Sequence, residues 1–94
     1  MNYDRRKDMF KIEANRIFLS DDAGKTIAEI TFCETSPGTY TIDHTFVDSS
    51  LRGQGIASKL VDAAVKEILS RNCKVAATCS YAKKWLEEHP VAEV

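Results

Sequence analysis

The sequence predicts an α/β fold of the α+β kind. A mixed sheet of about five strands is expected, an antiparallel meander followed by a β-α-β parallel crossover and a C-terminal helix. Three observations carry this. The first half consists of short β-branched and aromatic runs separated by turn clusters. One long amphipathic run with a period of about 3.6 residues follows. After it come a short apolar run, KVAAT, and a second helical segment. The chain has 94 residues, 44% hydrophobic and 29% charged, the balance of an ordinary globular protein. That length fits one domain, 1–94, and buries only about 60 to 65 per cent of its unfolded surface, so each core element matters.

Met9–Glu13 and Arg16–Ser20 are expected strands, the second running into the turn cluster Asp21-Asp22-Ala23-Gly24. Lys25–Cys33 supplies the next strand, joined to the previous one by a hairpin. Ser36-Pro37-Gly38 makes another turn before TYTIDHTFV, Thr39–Val47. Its alternation places Tyr40, Ile42, His44 and Phe46 on one face and Thr41, Asp43, Thr45 and Val47 on the other. From Gly53 to Arg71 a helix is predicted. Ile56, Leu60, Ala64 and Ile68 form an apolar stripe beside Ala57, Val61, Val65 and Leu69, with Lys59, Asp62, Lys66 and Ser70 opposite. Asn72 ends it. Lys74–Thr78 reads as a strand, and Ser80 as the cap of a last helix that turns Ala82, Trp85 and Leu86 inward and stops at Pro90. Strand, helix, strand in this order makes Tyr40–Val47 and Val75–Thr78 parallel.

Composition narrows the function. A net charge of −1 argues against nucleic acid as a partner, and the triplet Arg5-Arg6-Lys7 reads as a solvated terminus. No apolar run is long enough for a bilayer, and MNYDRRKDMF lacks the apolar stretch of a secretory signal, so no membrane association and a cytoplasmic location are expected. Cys33, Cys73 and Cys79 match neither a CxxC pair nor a zinc finger; reduced thiols and no metal are the expectation.

The informative stretch is LRGQGIASKL, Leu51–Leu60. A helix start exposes unpaired N–H groups and about half a unit of positive charge, which suits a phosphate. Gly53 and Gly55 leave those donors unshielded, Ala57 is small, and Arg52 adds charge, so a ligand can act as the missing cap. A tight strand-to-helix turn needing glycines alone is the simpler alternative. The triphosphate loop GxxxxGK[ST] is absent. A dinucleotide fingerprint would need an acidic residue on the following strand, and KVAATCS has none.

Arg52-Gly53-Gln54-Gly55-Ile56-Ala57 resembles the R/Q-x-x-G-x-G/A motif of the GNAT superfamily of acyl-CoA-dependent N-acetyltransferases. The wider pattern HTFVDSSLRGQGIASKLVDAAV, with CSYAKKWLEEHP downstream, is similar to its very short single-domain branch. The resemblance implies acetyl-CoA as cosubstrate and an amine as acceptor. The pantetheine arm would pair with backbone near Phe46 and Val47, between two diverging parallel strands. The pyrophosphate would take donors from Gly53, Gln54, Gly55, Ile56 and Ala57, with Ser58 as a hydroxyl contact and Arg52 beside it.

The same resemblance points to the chemistry. Many members protonate the departing thiolate from a tyrosine just after the second parallel strand, where this chain has Cys79-Ser80-Tyr81. Cys79 is the candidate to protonate the leaving sulfur or to accept the acetyl group in a two-step route, its alternative being plain packing. His44 is a candidate proton acceptor, its alternative being a satisfied core histidine, and Tyr81 a candidate acid or coenzyme contact. Lys84, three residues on from Tyr81, is a candidate coenzyme contact, its alternative being a plain solvated lysine. The extra helices and strands that build the acceptor pocket of larger members have no counterpart here. An open groove is therefore expected, suited to a protein or peptide amine, in a monomer or weak homodimer. A non-catalytic coenzyme A-binding regulatory module is the rival reading, and a partner-binding domain whose glycine loop only turns is the third.

Overall fold

The computed structural model describes residues 10–89. The elements are β1 (Lys11–Ile12), β2 (Arg16–Ser20), β3 (Thr26–Ser36), β4 (Thr39–Val47), a 3-10 turn (Ser49–Leu51), α1 (Ile56–Ser70), β5 (Lys74–Ala77) and α2 (Ser80–Glu88). They form one sheet in the order β1-β2-β3-β4-β5, antiparallel as far as β4 and parallel between β4 and β5. The mixed sheet, the meander, the crossover and the closing helix are those expected. Met9, Arg5-Arg6-Lys7 and Pro90 lie outside the described residues.

Five elements differ in extent from expectation. β5 stops at Ala77, one residue short of Thr78, where its pairing with β4 ends. β1 keeps only Lys11–Ile12, and β3 runs three residues beyond Cys33 to Ser36, because its pairing with β4 continues to Ser36↔Thr39. α1 begins at Ile56 rather than Gly53, since Gly53 and Gly55 both take positive φ. The cap of α2 is Cys79, in extended conformation, and Ser80 is its first helical residue. At the other end of α1, Asn72 adopts φ 64 and the Cys73 N–H reaches back to the Ile68 carbonyl at 3.3 Å, a left-handed stop as the sequence predicts.

Ile17, Ala28, Ile30, Phe32 and Ile42 of the sheet meet Leu60, Val61, Ala64, Val65 and Ile68 of α1 and Ala82 and Trp85 of α2 in a single core. Each large aliphatic side chain buried there contributes about 1.5–3 kcal/mol. Both helices lie on this face. The opposite face carries no helix among the described residues.

The alternation expected along β4 fails at one point, and the failure places the site. Thr31 pairs with His44 but Phe32 pairs with Ile42, so Asp43 is an extra, bulged residue, held by the Thr31 hydroxyl at 2.5 Å. Residues opposite one another across an antiparallel pair share a face. Thr45 and Val47, opposite Ile30 and Ala28, therefore turn with Ile42 toward the core. His44 and Phe46, opposite Thr31 and Glu29, turn to the outer face, not to the face of Tyr40 and Ile42. No helix among the described residues is long and apolar enough to cross a membrane.

Candidate functional site

β4 and β5 pair from Thr39↔Lys74 to Ile42↔Ala77 and then part. The Ile42 carbonyl accepts from both Thr78 N–H, at 2.9 Å, and Cys79 N–H, at 3.3 Å, where the chain turns into α2. β4 continues to Val47 without β5, paired only with β3. Asp48 N–H donates to the Ile27 carbonyl of β3 at 2.8 Å, so the two-residue alternation turns the backbone groups of Thr45 and Val47 the other way, into the gap. An unpaired strand edge thus faces the opening.

Above this gap stands the start of α1. Gly55 is its N-cap at φ 73 and makes no side-chain cap bond. The first intrahelical bond runs from Lys59 N–H to the Gly55 carbonyl at 3.1 Å, which leaves the N–H groups of Ile56, Ala57 and Ser58 without an intrahelical acceptor. Arg52, Gly53, Gln54 and Gly55 are all exposed, and no acidic residue lies in the first turn to neutralise the helix dipole. A Cβ built on either glycine meets nothing within 4 Å. Backbone conformation alone therefore accounts for both glycines, and the open space beside them is what a ligand would use. Ser58 is partly engaged. Its hydroxyl accepts from the buried Trp85 indole N–H at 2.9 Å, tying α2 to the first turn of α1, and its own proton remains to be donated.

The start of α2 lies on the other side of the gap. Cys79 is half-buried at its N-cap, closes no side-chain cap bond, and has its Sγ 3.5 Å from the Thr45 hydroxyl of β4. Burial pushes the thiol up, but the Thr45 hydroxyl and the backbone N–H groups of Ala82, Tyr81 and Thr45 more than offset it, and the thiol lies below its ordinary value. Tyr81 is 42% exposed, and exposed Lys84 stands 3.9 Å from Glu88. The structure thus groups Cys79 and Val47 with the gap, and Arg52 to Ser58 with the open helix start. It turns the side chains of His44 and of Phe46, which is 39% exposed, to the outer face. Thr45 is the residue that sequence reasoning passed over. The polar pair Asp43-His44 inside an alternating strand was the one available sign of the bulge that brings it inward.

The profile of the GCN5-related N-acetyl-transferases matches residues 16–94, which covers every element from β2 onward. The chain belongs to this family. Among proteins similar to this N-acetyltransferase-family chain is the human Protein NATD1, 28% identical over 98 residues, spanning 99% of this chain and 76% of that one. The solution structure of a GCN5-like protein from Staphylococcus aureus is 38% identical, covers 84% of this chain and 78% of its own, and superposes with a TM-score of 0.69. The N-acetyltransferase YhbS from Escherichia coli, in complex with CoA, shares the fold at 23% identity and a TM-score of 0.59, covering 80% of this chain and 44% of its own.

Proposed function

We propose that the protein is an acetyl-CoA-dependent N-acetyltransferase acting on the amine of a protein or peptide. The observation that carries the reading is the parting of β4 from β5 after Ile42↔Ala77, with the uncapped start of α1 above it. The pantetheine arm adds to the free edge of β4 at Val47 beside Phe46, as an extended ligand adds to a strand. The pyrophosphate takes the N–H groups of the Gly53–Ala57 loop and the Ser58 hydroxyl, with Arg52 as counter-charge. Membership of the family and the coenzyme held by YhbS on the same fold support this assignment.

Cys79 acts on the thioester, because it stands where the two strands part and its thiol is biased toward the thiolate. Tyr81 and Lys84 line the approach from α2, and His44 on the outer face takes the proton of an incoming amine. The outer face is open among the described residues, which suits a peptide better than a small enclosed substrate. Calorimetry with acetyl-CoA tests the first half: no heat at high coenzyme concentration overturns the reading. Turnover of mixed peptide amines, followed as free thiol release, tests the second. Binding without turnover would leave a coenzyme-binding module.

A further inference from the structure

We propose that Thr45 is a positioning residue for Cys79, its hydroxyl holding the sulfur at the mouth of the β4–β5 gap where an acyl thioester meets it. The inference rests on the reading of Cys79 as the reactive group. No other side chain among the described residues lies within hydrogen-bond distance of that sulfur, and the 3.5 Å contact joins residues 34 apart in sequence. It bridges the two walls of the gap at the point where pairing has ended. Once the thiol has lost its proton, the hydroxyl is the only donor of the two. A β-branched residue has few χ1 choices, so the hydroxyl keeps its direction.

The bulge explains why this threonine is in place. With strict alternation from Ile42, His44 would turn to the core and Thr45 outward; the extra residue Asp43 reverses them. The titratable side chains on the elements meeting at Cys79 are Tyr40, Asp43 and His44 of β4, Lys74 of β5, and Tyr81, Lys83, Lys84, Glu87 and Glu88 of α2, none within hydrogen-bond distance of the sulfur. In transfer through Cys79, a bond forms between its sulfur and the acyl carbon while the bond from that carbon to the coenzyme sulfur breaks. The proton lost by the cysteine ends on the released coenzyme thiol, and the Thr45 hydroxyl keeps its own.

The test is alkylation by iodoacetamide without coenzyme, read by mass spectrometry on the tryptic peptide Val75–Lys83, which separates Cys79 from Cys33 and Cys73. Thr45→Val is expected to slow alkylation of Cys79 at pH 7 by about three- to tenfold and to move its pH profile upward. Thr45→Ser should restore both. A Thr45→Val protein that is folded by circular dichroism yet keeps the wild-type rate and profile overturns the proposal. So does a slowing in Thr45→Val and Thr45→Ala that merely tracks their unfolded fraction. Because no coenzyme takes part, the result is independent of transfer: full acetylation by Cys79→Ala would remove Cys79 from the chemistry and leave the Thr45 measurement standing.

Discussion

The two helix starts that flank the gap are alike in lacking a side-chain cap and an acidic residue in the first turn. They differ in what they offer instead. The start of α1 is bare: Gly55 is in the left-handed region and the residues before it are exposed. The start of α2 keeps a side chain, the half-buried Cys79, in extended conformation against Thr45. One end presents only backbone donors and a dipole, the right equipment for a multiply charged anion. The other applies a similar field to a thiol and biases it toward the thiolate. The contrast teaches that a helix N-terminus can be used to hold charge or to tune it, according to whether the cap position is emptied or filled.

The contrast is open to direct attack. Cys79→Ala empties the second cap, and acetyl transfer is expected to fall by about a hundredfold or more while coenzyme affinity changes little. Turnover and calorimetry on the same preparation check this, and undiminished turnover would remove Cys79 from the chemistry. Mass spectrometry after incubation with acetyl-CoA alone adds a sharper point, since an acetyl adduct on the Val75–Lys83 peptide marks the two-step route.

Gly55→Val fills the first cap instead. A β-branched residue at φ 73 is strained, costing about 1–2 kcal/mol of stability, and its side chain enters the space beside the free N–H groups. Coenzyme affinity is expected to drop about ten- to a hundredfold. A titration that finds the wild-type constant in the folded variant would disprove the anion role of α1. The sequence by itself suggests a substitution that spares the fold; the positive φ corrects that.

Ser58→Ala probes the bond that joins the two starts. The buried Trp85 N–H loses its acceptor, so urea unfolding should show a loss of about 1 kcal/mol and Trp85 emission should shift. Affinity should weaken by only about two- to threefold if the hydroxyl is a minor phosphate donor.

Much of this was legible before the structure. Leu60, Val61, Ala64, Val65 and Ile68 are buried because an amphipathic period leaves one stripe to face a sheet. Asn72 ends α1 as its tolerance of the left-handed region allows. The RGQGIA loop was recognisable because an uncapped helix start beside glycines is a local chemical oddity. The hand-over from Ser80 to Cys79 at the start of α2 was less so: serine is the better cap by propensity, but Cys79 is the residue whose backbone is held extended by Ile42.

Local residue patterns alone set the elements, their order, the stripe that builds the core, and the glycines that leave the start of α1 bare. The bulge at Asp43, the contact of Thr45 with Cys79, and the end of β5 while β4 runs on emerge only from the folded sheet. The physical reason is range. Periodicity, caps and turn residues act over a few positions, whereas a bulge and a strand end are set by which of two partner strands, distant in sequence, can still satisfy a backbone hydrogen bond.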